Sequence, residues 1–229
     1  MNHPLDSATV LLHAVTGSQA IGTAAESSDV DITRVRALST EQLAGLFPVP
    51  AGDHQRQQIN GPLDIIDIDI AAFLRQVVKG SAKHFETLYS PLAAPRCEAG
   101  ALLVTARTGL ITQDAVRYAY RGYIVSLARK VFSGGPKVEK DLRVLHKLLT
   151  QAGQLWTTGT LDLRAAGREA PEEFAAAFLS GDTDVLASLL ERVTDMFATT
   201  SPLPTDTAGA RDLAADLVRA GRSVADKAA

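Results

Sequence analysis

The sequence contains little cysteine, few aromatic residues and no long hydrophobic run. Cys97 is the only cysteine in 229 residues, so an internal disulfide and a zinc site built from thiolates are both excluded. Aromatic residues make up 5% of the chain, which predicts a mainly aliphatic core. No apolar run reaches the ~20 residues that span a bilayer, and residues 1–6 lack the basic start of a signal peptide. We therefore expect a cytoplasmic protein that does not interact with membranes.

The sequence also lacks an overall excess of positive charge. The formal net charge is −3 and the isoelectric point is near 5.9, whereas a surface that holds nucleic acid non-specifically is usually basic. Residues 117–147 are the local exception, with eight lysines and arginines against two acidic residues, a local charge of +6. Two interpretations stay open for this segment: a solvated helical face, or a binding site for a triphosphate or a nucleic-acid acceptor.

Three apolar segments in the first third of the chain predict β-strands. They lie at residues 8–15, 30–35 and 63–70, and each is short, rich in β-branched residues and bounded by turn-forming residues. A fourth strand within residues 35–60 is left open, although residues 50–60 are polar and predict a loop. These segments predict a small mixed sheet.

Beyond the third predicted strand, apolar residues recur at helical spacing. Residues 90–95 contain two prolines and predict a linker, and a long helix predicted after it is interrupted at Gly122. We therefore predict an α+β fold, with a small mixed-sheet domain over residues 1–92 followed by an all-helical C-terminal domain over residues 96–229.

A glycine–serine pair and a pair of aspartates follow one another closely near the N-terminus. Gly17 and Ser18 come directly after the first predicted strand, where a glycine turn, a hydroxyl and the amides of a helix N-terminus can bind a phosphate. Asp29 and Asp31 are two residues apart at the second predicted strand and therefore share a face. Because two adjacent carboxylates repel each other, a cation between them is the simplest relief. A phosphate-binding turn followed by a pair of aspartates predicts a nucleotide site with a divalent cation.

A third carboxylate would come from the third predicted strand, which contains Asp64, Asp67 and Asp69. Magnesium prefers carboxylate and phosphate oxygens, and two ions ~4 Å apart can support an in-line phosphoryl displacement. Asp67 and Asp69 share one face of the strand, and either could turn toward a metal. The solvent-exposed face of an edge strand is the alternative interpretation of all three.

The spacing of these residues resembles the signature of the polymerase-beta-like nucleotidyltransferase superfamily. Within it, Gly17-Ser18-Gln19-Ala20-Ile21-Gly22 followed by Ser28-Asp29-Val30-Asp31 is similar to the predicted nucleotidyltransferases of bacteria and phages that are linked to RNA repair, with Ile21 in place of an aromatic residue. The resemblance is strongest over residues 15–35 and thin after residue 90. Because that group carries an acidic residue at the position that Asp64 has relative to the following helix, the resemblance ranks Asp64 ahead of Asp67 and then Asp69.

The resemblance implies an activity and a set of site residues. The activity is transfer of a nucleoside monophosphate from a nucleoside triphosphate to a hydroxyl acceptor, for which RNA and tRNA are candidates, with release of pyrophosphate. Two Mg²⁺ ions, with Mn²⁺ as an alternative, would support it, and residues 1–92 would be the catalytic domain. The implied residues are Asp29, Asp31, Asp64 and Asp67 for catalysis, Asp29, Asp31 and Asp64 as metal ligands, and Gly17, Ser18, Lys140 and Arg143 for the triphosphate.

Two other classes of function stay open. A catalytically silent nucleotide-binding regulatory module with the same fold would keep Ser18 and the aspartates, and the departures at Ile21 and Ser81-Ala82, where the group has Asn-Pro, are consistent with it. A purely structural helical interaction protein would show no metal-dependent thermal shift with any triphosphate.

Overall fold

A five-stranded mixed sheet forms the N-terminal part of the protein, and helices follow it. The computed structural model describes residues 3–165, 167 and 169–229. The strands are β1 (Thr9–Thr16), β2 (Val30–Ala37), β3 (Gln55–Asn60), β4 (Leu63–Asp69) and β5 (Ala93–Pro95). Their order is β3-β4-β2-β1-β5, with β2 and β4 parallel and the other neighbours antiparallel. The predicted α+β fold class is confirmed.

Most of the remaining described chain is helical. The α-helices are α1 (Gly17–Ile21), α2 (Thr40–Ala44), α3 (Ile70–Lys79), α4 (Ala82–Tyr89), α5 (Glu98–Thr105), α6 (Arg107–Leu110), α7 (Gln113–Phe132), α8 (Val138–Thr158), α9 (Glu169–Leu179), α10 (Asp184–Met196) and α11 (Thr207–Ala228). Short 3-10 helices lie at Pro4–Asp6 and Ala51–His54. Among the described residues, no helix is both long enough and apolar enough to cross a membrane.

Two strands lie where the sequence predicted irregular structure. β3 falls inside the polar segment predicted as a loop and pairs antiparallel with β4 through a turn at Gly61, whose φ is +59°. Because β3 is an edge strand, its polar side chains stay in contact with water. β5 occupies the predicted linker and pairs with β1. The fourth strand left open by the sequence is thus confirmed, while the division into domains at residues 92–96 stays a prediction.

The helices cover one face of the sheet and form the core with it. Strand periodicity directs Val35 and Ile68 into this core, where both are almost fully buried. Helix α3 adds Phe73 and Leu74, and α7 and α8 add further buried side chains, including Trp156. The face of β2 and β4 that carries Asp31 and Asp64 is therefore the face that the helices cover.

The last helix is attached to the sheet through a buried ion pair. Asp69 is fully buried at the start of α3, where its Oδ1 accepts a hydrogen bond from the Ala71 amide at 2.9 Å. Arg222 on α11 donates to both carboxylate oxygens of Asp69, at 2.5 and 2.6 Å, and to the Leu38 carbonyl at 2.8 Å. The C-terminal helix therefore completes the packing of the N-terminal sheet.

Helix α7 runs without interruption through Gly122, which corrects the break predicted there. A Cβ at position 122 would contact no atom within 4 Å. Tertiary packing along the rest of α7 outweighs the low helix propensity of one glycine.

Candidate active site

The turn between β1 and α1 places glycine directly against a carboxylate. Gly17 has a φ of +62°, a conformation that L side chains rarely adopt, and a Cβ there would collide with the carboxylate of Asp31. Thr16 and Asp31 are cross-strand partners on β1 and β2, and the Thr16 hydroxyl donates to the Asp31 carbonyl at 3.4 Å. The predicted phosphate-binding turn and the predicted metal-binding strand therefore meet at one point.

Asp31 and Asp64 lie side by side on the parallel strands β2 and β4. They are register partners, so their side chains emerge on the same face of the sheet. Burial raises the pKa of Asp31, and the charges of Asp64, Asp29 and Glu86 raise it further, while Lys83 opposes the shift. Ionisation of Asp31 is therefore less favourable than in a free aspartate, and a bound cation would favour it.

The side-chain amide of a neighbouring glutamine holds the carboxylate of Asp64 toward the edge of the sheet. Both of its carboxylate oxygens accept hydrogen bonds from Nε2 of Gln57 on β3, each at 2.8 Å. Across the described chain, no three histidine, cysteine or acidic side chains converge as a ready metal site. The donor chemistry at Asp29, Asp31 and Asp64 suits Mg²⁺, and Asp64 has to exchange its bond to Gln57 to take part.

Asp67 lies on the opposite face of β4 from Asp64. It is fully buried and accepts hydrogen bonds from Arg36 Nε at 2.5 Å and Arg34 Nη2 at 2.7 Å. Burial opposes ionisation of Asp67, but the hydrogen bonds from Arg36 and Arg34 outweigh it and hold the pKa below its usual range. The prediction that Asp67 is catalytic is therefore corrected: the strand turns its carboxylate away from Asp31 and into an ion-pair cluster. The Asp69 alternative is corrected too, because that side chain is bound by Arg222.

A cleft of about 600 Å³ opens beside Asp31, between the α1–β2 segment and helix α8. This volume is within the range of small-molecule sites. The polar side chains and turn residues that line it include most of the residues predicted from the sequence. Among them are Gly17, Ser18, Asp29, Asp31, Lys140, Arg143 and Lys147, and the acidic residues Asp162 and Glu172 also line the cleft. Asp64 lies beside Asp31 but does not line this cleft.

One face of α8 supplies the cationic wall of the cleft. Lys140, Arg143 and Lys147 recur at spacings of three and four residues, which brings them onto one side of the helix. Arg143 pairs with Glu139 one turn earlier on the same helix. Lys140 is exposed at the cleft, and among the described residues no ion-pair partner contacts it. The wall lines the same cleft as Asp29 and Asp31, so phosphates bound to the wall would lie near both aspartates.

Sequence reasoning missed the group at the base of this wall. Glu86 on α4 is buried and bonds to Lys147 Nζ at 2.9 Å and to Gln151 Nε2 at 2.9 Å. The Tyr120 hydroxyl in turn donates to Gln151 Oε1 at 3.3 Å. A glutamate inside the apolar segment Phe85–Tyr89 was the available signal, because a buried carboxylate needs partners.

The family comparison covers most of this site. A family model described as "RNA repair pathway DNA polymerase beta family" matches residues 3–160, from the first strand to the end of α8. The matched region contains the Gly17–Ser18 turn, the three carboxylates and the cationic wall. No curated protein sequence matches the chain significantly.

Proposed function

The chain belongs to the RNA repair pathway DNA polymerase beta family, and from this premise we propose that it transfers a nucleoside monophosphate from a nucleoside triphosphate to a hydroxyl acceptor. The family supports a nucleotidyltransferase-like function; the donor, the acceptor group and the metal dependence are our proposal. One observation carries it. Asp31 and Asp64 are register partners on one face of the sheet, and Asp31 also touches the Gly17 turn.

The triphosphate would lie in the 600 Å³ cleft between the turn and α8. Gly17 carries no side chain of its own, so a phosphate can approach its backbone closely, and the Ser18 hydroxyl can donate to that phosphate. Lys140 and Arg143 would balance the charge of the phosphates from the opposite wall. These roles agree with the position of all four residues around the cleft.

Asp29, Asp31 and Asp64 would hold Mg²⁺, with Mn²⁺ as an alternative. Burial and the neighbouring carboxylates raise the pKa of Asp31, and a carboxylate perturbed in this way beside a cleft is typical of a functional site. When bound, two such ions would neutralise phosphate oxygens and favour the ionised acceptor hydroxyl. Asp31 and Asp64 would orient them because their strands fix both Cα positions.

The proposed reaction is an in-line displacement at the α-phosphorus. The acceptor oxygen forms the new P–O bond, the bond between the α-phosphorus and the bridging oxygen breaks, and pyrophosphate leaves with that oxygen. The acceptor proton passes to solvent. Lys140 and Arg143 would stabilise the negative charge that develops on pyrophosphate.

Loss of transfer in carboxylate variants tests the proposal. With an α-labelled triphosphate, Mg²⁺ and a hydroxyl-ended RNA, we expect label transfer by the wild type and none by Asp31→Asn or Asp64→Asn. Asp182→Asn, on an exposed turn far along the chain, is the matched control and should keep full activity. Thermal melting verifies that each variant folds. Full transfer by either site variant would refute the assignment.

A catalytically silent nucleotide-binding module is the competing proposal, and one observation favours it: Gln57 occupies both oxygens of Asp64. It predicts calorimetric binding of triphosphate by the wild type with no transfer to any acceptor. It also predicts that Gln57→Ala, which frees Asp64, does not create activity. Mg²⁺-dependent transfer by the wild type would exclude it.

A further inference from the structure

Helix α7 exposes aromatic side chains in a protein that has few of them. Tyr118, Tyr123 and Phe132 are 61%, 50% and 54% exposed, so three of the twelve aromatic residues of the chain lie open on one helix. Val125 lies between them and is also exposed. An exposed apolar patch of this kind marks an interaction site more often than an accident of folding.

Positive charge surrounds these rings. Arg121 and Arg129 are exposed on the same side of α7, and Lys79 Nζ lies 5.6 Å from the centre of the Tyr118 ring. Together with Lys83 on α4, these side chains border a shallow depression of about 1010 Å³. Among the described residues that line the depression, none is acidic. We call this surface, defined by Lys83, Tyr118, Arg121, Tyr123 and Arg129, the α7 face.

Gly122 gives the α7 face a bare stretch of backbone. Glycine is a poor residue for the interior of a helix, and packing gives no reason for it here, because a Cβ would contact nothing within 4 Å. It lies one turn from both Tyr118 and Val125. A ligand that approaches the helix closely between the aromatic rings does give a reason.

The α7 face and the cleft are separate surfaces. Lys83 lines the face from α4, the helix that also carries Glu86 at the base of the cationic wall. No described residue lines both the face and the cleft beside α8. A molecule on the face and a triphosphate in the cleft could therefore bind at the same time.

We propose that the α7 face binds the acceptor as single-stranded RNA, with bases stacked on Tyr118 and Tyr123 and phosphates paired with Arg121, Arg129 and Lys83. Open aromatic rings among cationic side chains fit unpaired bases on a phosphate backbone, whereas a duplex hides its base faces. Between single-stranded RNA and single-stranded DNA, we choose RNA because the description of the matched family names an RNA repair pathway. The inference rests on the proposed nucleotidyl transfer, because it supplies the acceptor of that reaction.

Fluorescence anisotropy with a short, labelled, unstructured RNA tests the face directly. We expect the Tyr118→Ala/Tyr123→Ala variant to weaken binding at least about tenfold, and the Tyr118→Phe/Tyr123→Phe variant to restore it, since the rings remain. Arg121→Ala/Arg129→Ala should reduce the slope of log affinity against log salt by about two. The controls are Phe47→Ala, an aromatic residue that is 88% exposed elsewhere, and Arg211→Ala, an exposed arginine on α11.

Several outcomes would overturn the inference. They are wild-type affinity in the tyrosine variant, equal binding of double-stranded RNA, equal binding of single-stranded DNA of the same sequence, and an unchanged salt slope in the arginine variant.

These experiments distinguish failure of the RNA-binding inference from failure of the proposed nucleotidyl transfer. Asp31→Asn should bind RNA as the wild type does while transferring no label. If the face variants bind RNA normally and transfer still depends on Asp31, the inference fails and the proposed function stands. If Asp31→Asn stays active while RNA binding depends on Tyr118 and Tyr123, the proposed function fails and the inference that the α7 face binds RNA stands.

Discussion

Replacing Arg222 by methionine tests whether one buried ion pair fastens α11 to the sheet. Asp69 is fully buried and the side chain of Arg222 is 12% exposed, and the two are joined by a pair of hydrogen bonds. Methionine keeps much of the aliphatic length but removes the guanidinium. Among the residues that the structure describes, the amides of Ala71 and Leu38 would then be the remaining donors to the carboxylate of Asp69.

The expected loss is large relative to total stability. Removing one partner of a buried ion pair costs about 3–5 kcal/mol, and the two remaining amides favour the lower end. A loss of about 3 kcal/mol is a fifth or more of the stability of a typical protein and lowers the melting temperature by about 6–12 °C at this chain length. Arg219→Met is the matched control, since Arg219 and Asp216 are both largely exposed on the same helix and such pairs contribute about 0–1 kcal/mol.

Urea denaturation, followed by the fluorescence of the single tryptophan, measures both variants. Burial opposes ionisation of Asp69, but Arg222 outweighs it and lowers the pKa. A carboxyl group whose pKa is lowered by folding stabilises the protein at pH values above its pKa in the unfolded chain, about 4. This contribution to the free energy of unfolding is lost as the pH falls through the pKa of the folded state. The gap between wild type and Arg222→Met should therefore narrow in acid. Equal stability of the two methionine variants at neutral pH, or a gap that widens in acid, would refute the reasoning.

Two further substitutions separate folding from function. Asp31→Asn should be at least as stable as the wild type at neutral pH. Burial and Asp64 raise the pKa of Asp31, so ionisation of its carboxyl group above about pH 4 weakens the fold of the wild type. Urea titrations should show that this advantage of the variant disappears in acid, and a variant that is less stable at neutral pH would contradict the reasoning. Gly122→Ala should stabilise the protein by up to about 1 kcal/mol, since its Cβ would meet no neighbour, and a lower melting temperature would show that the glycine has a packing role.

The carboxylates show how far the sequence leads. Strand periodicity alone separates Asp64 from Asp67, because residues three apart on a strand point to opposite faces. It does not say which face the helices cover, since isoleucines at 65, 66 and 68 make both faces of β4 apolar. Only the parallel register with β2 pairs Asp64 with Asp31 and turns Asp67 toward Arg34.

Other elements depend on contacts that no local pattern contains. β3 is polar because it is an edge strand, so its strand character comes from pairing with β4 and not from burial. Glu86, Lys147 and Gln151 come from two helices far apart in sequence. The Gly17–Asp31 signature could be recognised from the sequence because its chemistry fixes residue types at short spacing.

Gly17 and Asp31 share one volume: the carboxylate lies where a Cβ of residue 17 would be. The groups proposed to hold the triphosphate and the cation are therefore mechanically one unit, and a ligand that moves the turn also moves the carboxylate. Heterotropic coupling follows, and because coupling free energies are reciprocal, Mg²⁺ should strengthen triphosphate binding by the same factor as triphosphate strengthens Mg²⁺ binding. Under the proposed function, the donor and the metal are therefore expected to bind cooperatively.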